Sequence, residues 1–257
     1  MQVRWDGVIT ISFINVNTDG TESIQFTTCT PSGAPAAPVC GTTTLVANVA
    51  QPLLPNFDVG TPMVNIELSA STYPKHTNRT EPDGKFTTFL VFDDCKSPFT
   101  QGNPPFTVCL DAEVKISNST DGGKTWSSPA SVDTTTGHHF YPAIATDAST
   151  GIVDIAYYST FGDKFNHSVR VLRNQINPGG TALGSAQLVT KTLDPIDTDP
   201  QNLGFFISDA YLSVIVRGTG ASGQSRLYTS FDSTAVAGAY EGRPVPEQNN
   251  HISLFSF

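Results

Sequence analysis

The chain has 257 residues, only 14% of them charged, and its formal net charge at pH 7 is -9. With 14 basic residues against 23 acidic ones and no cluster of Lys or Arg, the composition argues against nucleic acid, membrane insertion and an anionic membrane surface. Short apolar runs separated by turns rich in Gly, Pro, Ser and Thr predict an all-β protein.

The predicted strands recur in groups along the chain. The first group covers residues 7–14, 23–28 and 42–49, and the second covers 63–69, 86–92, 112–117 and 126–132. The third covers 141–146, 152–158, 169–175 and 186–193, and the fourth 204–208, 211–216, 226–231 and 251–257. Because a sheet recurs so regularly, we predict a single β-propeller domain over residues 1–257, with approximate blades at 4–50, 60–132, 139–193 and 203–257.

The segment at residues 119–126 reads Ser-Thr-Asp-Gly-Gly-Lys-Thr-Trp and predicts a tight turn. An Asp side chain can accept hydrogen bonds from the backbone of its own turn, and the two Gly residues can adopt positive φ. The segment resembles the Asp-box, Ser-x-Asp-x-Gly-x-Thr-Trp, of sialidase-like (BNR-repeat) β-propellers. Its fixed positions are Ser119, Asp121, Gly123, Thr125 and Trp126. The resemblance implies a structural turn between the third and fourth strands of a blade, with Trp126 between neighbouring blades.

The number of blades departs from the resemblance, since sialidases close six blades and this chain predicts about four. Three interpretations remain open. Residues 251–257 could complete the first sheet of a four-bladed ring, the chain could be the C-terminal part of a larger six- or seven-bladed propeller, or an incomplete propeller could self-associate. The first of these would remove two exposed sheet edges.

The four cysteines fall into two local pairs, Cys29 with Cys40 and Cys95 with Cys109, each spanning a loop rich in Pro and Gly. Two disulfides are favoured over a metal site, because neither Cys-x-x-Cys spacing nor a nearby His is present. Disulfides indicate an oxidising compartment, so we expect a secreted or periplasmic protein. Residues 1–7 lack the apolar run of a signal peptide, which suggests a mature or truncated piece.

The catalytic residues of sialidases are not found at matching positions. The resemblance implies three arginines for the substrate carboxylate, a Tyr and Glu pair, an acid/base Asp and an Arg-Ile-Pro motif. The sequence has no Arg-Ile-Pro, and none of its arginines begins a predicted innermost strand. Tyr240 and Glu241 are adjacent, so in an extended chain they point to opposite sides.

Polar residues gather instead on the loops predicted to lie opposite the Asp-box turn. They are His138, His139, Tyr141, Asp93, Asp94, Asp163 and His167. We predict that this face binds a ligand, with ordinary turn chemistry as the alternative. A calcium loop at Asp194, Asp197 and Asp199 is a further candidate that matches no complete motif, and no other cofactor is expected.

Two functions follow from these observations. The first is a secreted propeller that binds glycans or a protein partner, or acts as a scaffold, without the sialidase catalytic set. The second is a glycan-active hydrolase or lyase that uses the His, Asp and Tyr residues of the loop face.

Overall fold

A computed structural model of the chain describes residues 1–18, 21–33, 36–49, 74–101, 106–109, 111–163, 168–177, 184–190, 194–195, 213–217, 226–240 and 243–256. Every regular element in these ranges is a β-strand, which confirms the all-β prediction. The described strands form four larger antiparallel sheets, arranged as the blades of a propeller. We find no membrane-spanning helix in the described part of the chain.

Sheet 1 lies at the N-terminus. Its strands are β1 (Gln2–Val3), β2 (Ile9–Val16), β3 (Glu22–Thr30), β4 (Val39–Cys40) and β5 (Thr44–Val49). They pair in the order β1-β2-β3-β4, and β5 also pairs with β3. Cys29 on β3 is bonded to Cys40 on β4, as predicted.

Sheet 2 contains the segment that resembles an Asp-box. Its strands are β6 (Lys75–Thr80), β7 (Phe86–Cys95), β10 (Ala112–Ser119) and β11 (Ala130–Ser131), paired in the order β6-β7-β10-β11. The loop between β7 and β10 folds into its own hairpin of β8 (Pro98–Gln101) and β9 (Phe106–Cys109), and the predicted bond between Cys95 and Cys109 closes it. Sequence analysis did not predict β6, and the strand predicted at residues 63–69 lies outside the described residues.

Sheets 3 and 4 follow in chain order. Sheet 3 comprises β12 (His139–Thr146), β13 (Val153–Ser159), β14 (Ser168–Ile176) and β15 (Gln187–Leu188), while β16 (Asp194–Pro195) also pairs with β14. Sheet 4 comprises β17 (Ser213–Arg217), β18 (Arg226–Tyr240) and β19 (Arg243–Ser256). The proposal that residues 251–257 complete the first sheet is wrong, because residues 251–256 pair with β18 along a long antiparallel ladder.

The alternation of side chains on β7 divides the core. Leu90 and Phe92 pack toward sheet 1 against Ile24 and Phe26. Phe89 and Val91 point to the other side, where they join a cluster that includes Val153, Ile155 and Tyr157 of sheet 3. A strand that is apolar on both faces is expected where a sheet is covered on both sides, so sheet 2 lies between sheets 1 and 3.

The two ends of sheet 2 are distinguished by the register of β7 with β10. Ser119 pairs with Thr88 at one end and Ala112 pairs with Cys95 at the other. The end that carries residues 119–126 is termed the turn end, and the opposite end is termed the mouth end. The link into sheet 3 also lies at the mouth end, because the amide of Ala112 donates to Nδ1 of His138 over 3.1 Å.

Candidate functional site

The turn at residues 119–126 is built by one carboxylate. Oδ1 of Asp121 accepts hydrogen bonds from the Ser119 hydroxyl (2.8 Å) and from the amides of Lys124 (2.9 Å) and Thr125 (3.0 Å). Its Oδ2 accepts from the Thr125 hydroxyl (2.6 Å). The hydrogen bonds from Thr125 are the largest influence on the pKa of Asp121, which they lower well below its usual value. The Asp121 carboxylate therefore has a structural role.

Trp126 is the last residue of this turn segment and packs between sheets 1 and 2. Its indole Nε1 donates to the Gly123 carbonyl over 3.2 Å, and its ring meets Phe26 edge-on at a centroid distance of 5.0 Å. The turn joins β10 to β11, the third and fourth strands of sheet 2. These positions are those that the resemblance implies, and a role for Trp126 in blade packing without ligand binding stays a prediction.

Three of the residues predicted to form a ligand face, namely His138, His139 and Tyr141, lie at the mouth end but are buried. Only 2% of His138, 4% of His139 and 7% of Tyr141 is exposed. Thr160 fixes the backbone of His138. The His138 amide donates to the Thr160 hydroxyl over 2.8 Å, and the Thr160 amide donates to the His138 carbonyl over 3.0 Å. The rings of His138 and His139 contact the junction between sheets 2 and 3, and their part in ligand binding stays a prediction. His167 lies outside the described residues.

A cleft of about 770 Å³ opens at the mouth end, where the chain crosses from sheet 2 to sheet 3. We term it the mouth cleft. Its lining is polar, with carboxylates from Asp111, Glu113, Asp133 and Asp163, hydroxyls from Ser131, Thr134, Thr135, Thr136 and Thr160, the imidazoles of His138 and His139, and Lys96. Of the predicted face, the cleft lining includes the two histidines and Asp163. The volume of the mouth cleft falls within the range of small-ligand sites.

Asp133 organises the wall of the mouth cleft. Its Oδ1 accepts from the amides of Thr134 (2.7 Å) and Thr135 (3.1 Å), and its Oδ2 accepts from the Thr135 hydroxyl (2.6 Å). The Tyr157 hydroxyl lies 2.9 Å from the same Oδ2. Burial raises the pKa of Asp133, but the hydrogen bonds from Thr135 and Tyr157 outweigh burial and bring the pKa below its usual value. Asp133 therefore stays ionised and holds the threonine loop in shape.

His139 and Tyr157 complete this wall. Nε2 of His139 lies 3.0 Å from the Thr135 carbonyl and 4.0 Å from Asp133 Oδ2. The imidazole meets the Tyr157 ring edge-on at 5.4 Å. Burial, followed by the charge of Asp133, raises the pKa of Tyr157, so this phenol stays protonated and acts as a hydrogen-bond donor. Sequence analysis missed Asp133 and Tyr157, although the Asp-Thr-Thr run is a turn signal.

Asp93 and Tyr141 form a second, separate arrangement at the mouth end. Tyr141 has φ of 54° and precedes Pro142, and both conditions disfavour its conformation. Its amide donates to Oδ2 of Asp93 over 3.3 Å, within a register shift between Phe140 and Ala143 on β12. Strained backbone of this kind costs about 1–3 kcal/mol and persists only where its surroundings impose it. The Asp93 carboxylate is one such constraint.

The second oxygen of Asp93 is buried and has no hydrogen-bond partner among the described residues. Burial raises the pKa of Asp93 well above its usual value, against the opposing effects of the Tyr141 amide and the charge of Lys75. The neighbouring Asp94 points to the other face of the strand, where its Oδ2 lies 2.7 Å from Nζ of Lys115. The two adjacent residues therefore differ: the pKa of Asp93 is raised, which favours its protonated form, whereas Asp94 forms an ion pair with Lys115.

The calcium candidate has little described structure. Asp194 begins β16 and pairs with Val169, while Asp197 and Asp199 lie outside the described residues. Elsewhere in the described ranges, no group of three or more His, Cys, Asp or Glu residues is placed to hold a metal ion. Calcium binding at these three residues remains a prediction.

No family model matches the chain, and no curated protein does. Among solved structures, the chain is similar to fructan 1-exohydrolase IIa from Cichorium intybus in complex with 1-kestose, with 9% identity and a TM-score of 0.40, covering 90% of this chain and 39% of that one. It is also similar to an N-acetylgalactosamine deacetylase from F. plautii in complex with blood group B trisaccharide, with 11% identity, a TM-score of 0.37 and coverage of 97% and 73%. The chain spans 39% of the length of the exohydrolase. The sialidase-like resemblance stays a prediction.

Proposed function

We propose that this protein is a secreted or periplasmic propeller that binds glycans in the mouth cleft. The observation that carries the proposal is the lining of the cleft, in which every residue is polar, charged or glycine. A ligand that fills such a cleft must offer many hydrogen-bonding groups, because buried polar atoms that lose water without gaining a partner cost free energy. Polyhydroxylated sugars satisfy this requirement.

The charges of the cleft narrow the ligand class. Four carboxylates and one lysine line it, and its described lining contains no arginine. Sialosides and uronic-acid polymers would meet repulsion there, so a neutral glycan is favoured over an acidic one. The two disulfides support a location in an oxidising compartment outside the cytoplasm, where the protein would have access to extracellular glycans.

The test is binding of neutral, uronic-acid and sialylated oligosaccharides, first on a glycan array and then by calorimetry. Thr136 and Asp163 both line the cleft, and Thr136 is exposed. Thr136→Val and Asp163→Asn should each weaken a neutral ligand by about three- to tenfold, since each removes one hydrogen-bonding group. Thr30→Val is the matched control, because Thr30 is exposed at the end of β3 in sheet 1. Equal binding by all three variants would disprove the cleft as the glycan site.

A glycan-active hydrolase or lyase is the second candidate, and Asp93 is the observation that favours it. A carboxyl whose pKa is raised by burial can serve as a general acid, and strained backbone beside it is common at functional sites. Asp93→Asn keeps the shape of the side chain and removes its acidity. We expect this variant to lose any hydrolytic or eliminative activity found in a glycan screen, and unchanged turnover would exclude Asp93 as the acid.

A further inference from the structure

Trp5 is exposed in a turn that is otherwise rigid. Its exposed fraction is 74%, the largest for any aromatic side chain in the described part of the chain. The turn between β1 and β2 closes with hydrogen bonds from the Arg4 amide to the Val8 carbonyl (2.9 Å) and from the Gly7 amide to the Arg4 carbonyl (3.0 Å). Gly7 supplies the φ of +84° that this turn requires. The indole is therefore held in water by a fixed backbone.

Side chains next to Trp5 are fixed as well. The Arg4 guanidinium forms a two-point ion pair with Asp6 and lies 4.1 Å from the centroid of the Phe86 ring. The Trp5 and Phe86 rings are 5.8 Å apart and inclined by 38°. Aromatic side chains lose few rotamers on binding, and when neighbours hold them in place they offer a preformed apolar surface. Trp5 and Phe86 together form such a surface, which we term the indole platform.

Phe86 connects the indole platform to a second cleft. This cleft, of about 550 Å³, lies at the turn end and is lined by Phe86, Phe89, Asn118 and Thr120 together with four charged residues. The charges cancel in two pairs: Arg79 Nε lies 2.8 Å from Glu81 Oε1, and Lys85 Nζ lies 2.9 Å from Asp83 Oδ2. The combined surface thus has aromatic faces, amide and hydroxyl groups, and no net charge.

We propose that the indole platform and the adjoining turn-end cleft bind a neutral oligosaccharide, as a second site separate from the mouth cleft. Trp5 lies on the sheet 1 side of β7 and Asn118 on the sheet 3 side, so one ring of an oligosaccharide would stack its apolar C–H face on Trp5 while hydroxyls of another ring bond to Asn118 and Thr120. The absence of net charge in this cleft favours a neutral glycan over a sulfated or uronic one. The inference shares its ligand class with the proposed function but uses none of the same residues, so the two can fail independently.

The experiment uses intrinsic fluorescence, because the chain has only two tryptophans. The difference in emission between the wild type and Trp5→Phe isolates the Trp5 signal, and acrylamide should quench it strongly. Titration with maltohexaose, cellohexaose, laminarihexaose or xylohexaose should protect Trp5 from acrylamide for at least one of them. Trp5→Ala should weaken that sugar about tenfold or more at this site, and Trp5→Phe should weaken it less.

Two controls separate the outcomes. Val39→Ala removes another exposed apolar side chain of sheet 1 (67% exposed) and should leave the binding unchanged. Thr136→Val, in the mouth cleft, should leave protection of Trp5 unchanged even if it weakens total binding. The inference would be overturned if none of the four sugars protected Trp5. It would also be overturned if Trp5 bound a protein partner and none of these sugars. Loss of the mouth-cleft site alone would leave it standing.

Discussion

Gly123 gives the sharpest test of how the turn at residues 119–126 packs against the core. Its φ is +88°, and a Cβ built on it would lie 2.3 Å and 2.5 Å from two ring atoms of Phe26. The preceding residue, Gly122, has a similar φ of +79° but no atom within 4 Å of the equivalent Cβ. Gly122→Ala and Gly123→Ala therefore impose the same backbone penalty, and only the second adds a collision.

The expected costs can be worked out from this difference. A left-handed conformation costs a non-glycine residue roughly 1–2 kcal/mol, which applies to both variants. Phe26 is 1% exposed, and Trp126 and His76 meet its ring edge-on, so the ring cannot turn away freely. Overpacking of such a site costs about 1–3 kcal/mol. We expect Gly122→Ala to lose about 1–2 kcal/mol and Gly123→Ala about 2–5 kcal/mol of unfolding free energy.

Urea unfolding followed by circular dichroism measures both losses without depending on the emission of the nearby Trp126. The two variants should share the m-value of the wild type and differ in midpoint, with Gly123→Ala lower. Equal midpoints would mean that the Phe26 ring moves aside without any loss of unfolding free energy. That result would refute the inference that this turn is wedged against sheet 1.

Three further predictions concern charge and covalent links. The pKa of Asp121 is lowered in the folded state, so its ionised form stabilises the fold fully above about pH 4, and this stabilisation is lost progressively as the pH falls from there toward the lowered pKa of the folded state. The difference in Tm between the wild type and Asp121→Asn should accordingly be larger at pH 7 than at pH 3, and a constant difference would contradict the role given to its charge. The pKa of Asp93 is raised, so ionisation destabilises the fold as the pH rises above about 4. Asp93→Asn keeps an oxygen that can accept from the Tyr141 amide, so it should raise the Tm at pH 7 but not at pH 3, and a lower Tm at pH 7 would show that ionisation of Asp93 does not destabilise the fold. Reduction of the two disulfides, whose cysteines are 11 and 14 residues apart, should cost about 3 kcal/mol each, and thiol mapping before and after reduction should find no free cysteine and then four.

Local features of the fold could be predicted from the sequence because their partners are close along the chain. The donors Ser119, Lys124 and Thr125 each lie within four positions of the Asp121 carboxylate, so the local sequence is enough to specify this turn. Short apolar runs likewise predicted β7 and β13, each of which lies in the core. The two disulfides, which close loops of similar length, belong to the same class of local features.

Features that depend on distant partners could not be predicted in this way. Strand β6 (Lys75–Thr80) has almost no apolar residue, and its buried side chains include His76, Thr77 and Arg79. Their partners lie on other sheets: Thr77 bonds to Thr146 and Arg79 to the carbonyl of Gly151. The same limit applies to the mouth cleft, because the importance of Asp133 follows from a tyrosine 24 positions later.

Because of the hydrogen bonds of His76, the N-terminal sheet can complete its packing only after residue 76 has been synthesised. Its ring nitrogens lie 2.8 Å from the Thr10 hydroxyl and 2.7 Å from the Ser12 hydroxyl, across 66 and 64 positions of sequence. Burial lowers the pKa of His76 to about 3, so the ring is neutral and needs both partners. Strand β2 leaves the ribosome long before His76 does, and closing so large a loop is slow. The core of the N-terminal sheet, including Phe26, should therefore stay uncovered until β7 is available to pack against it.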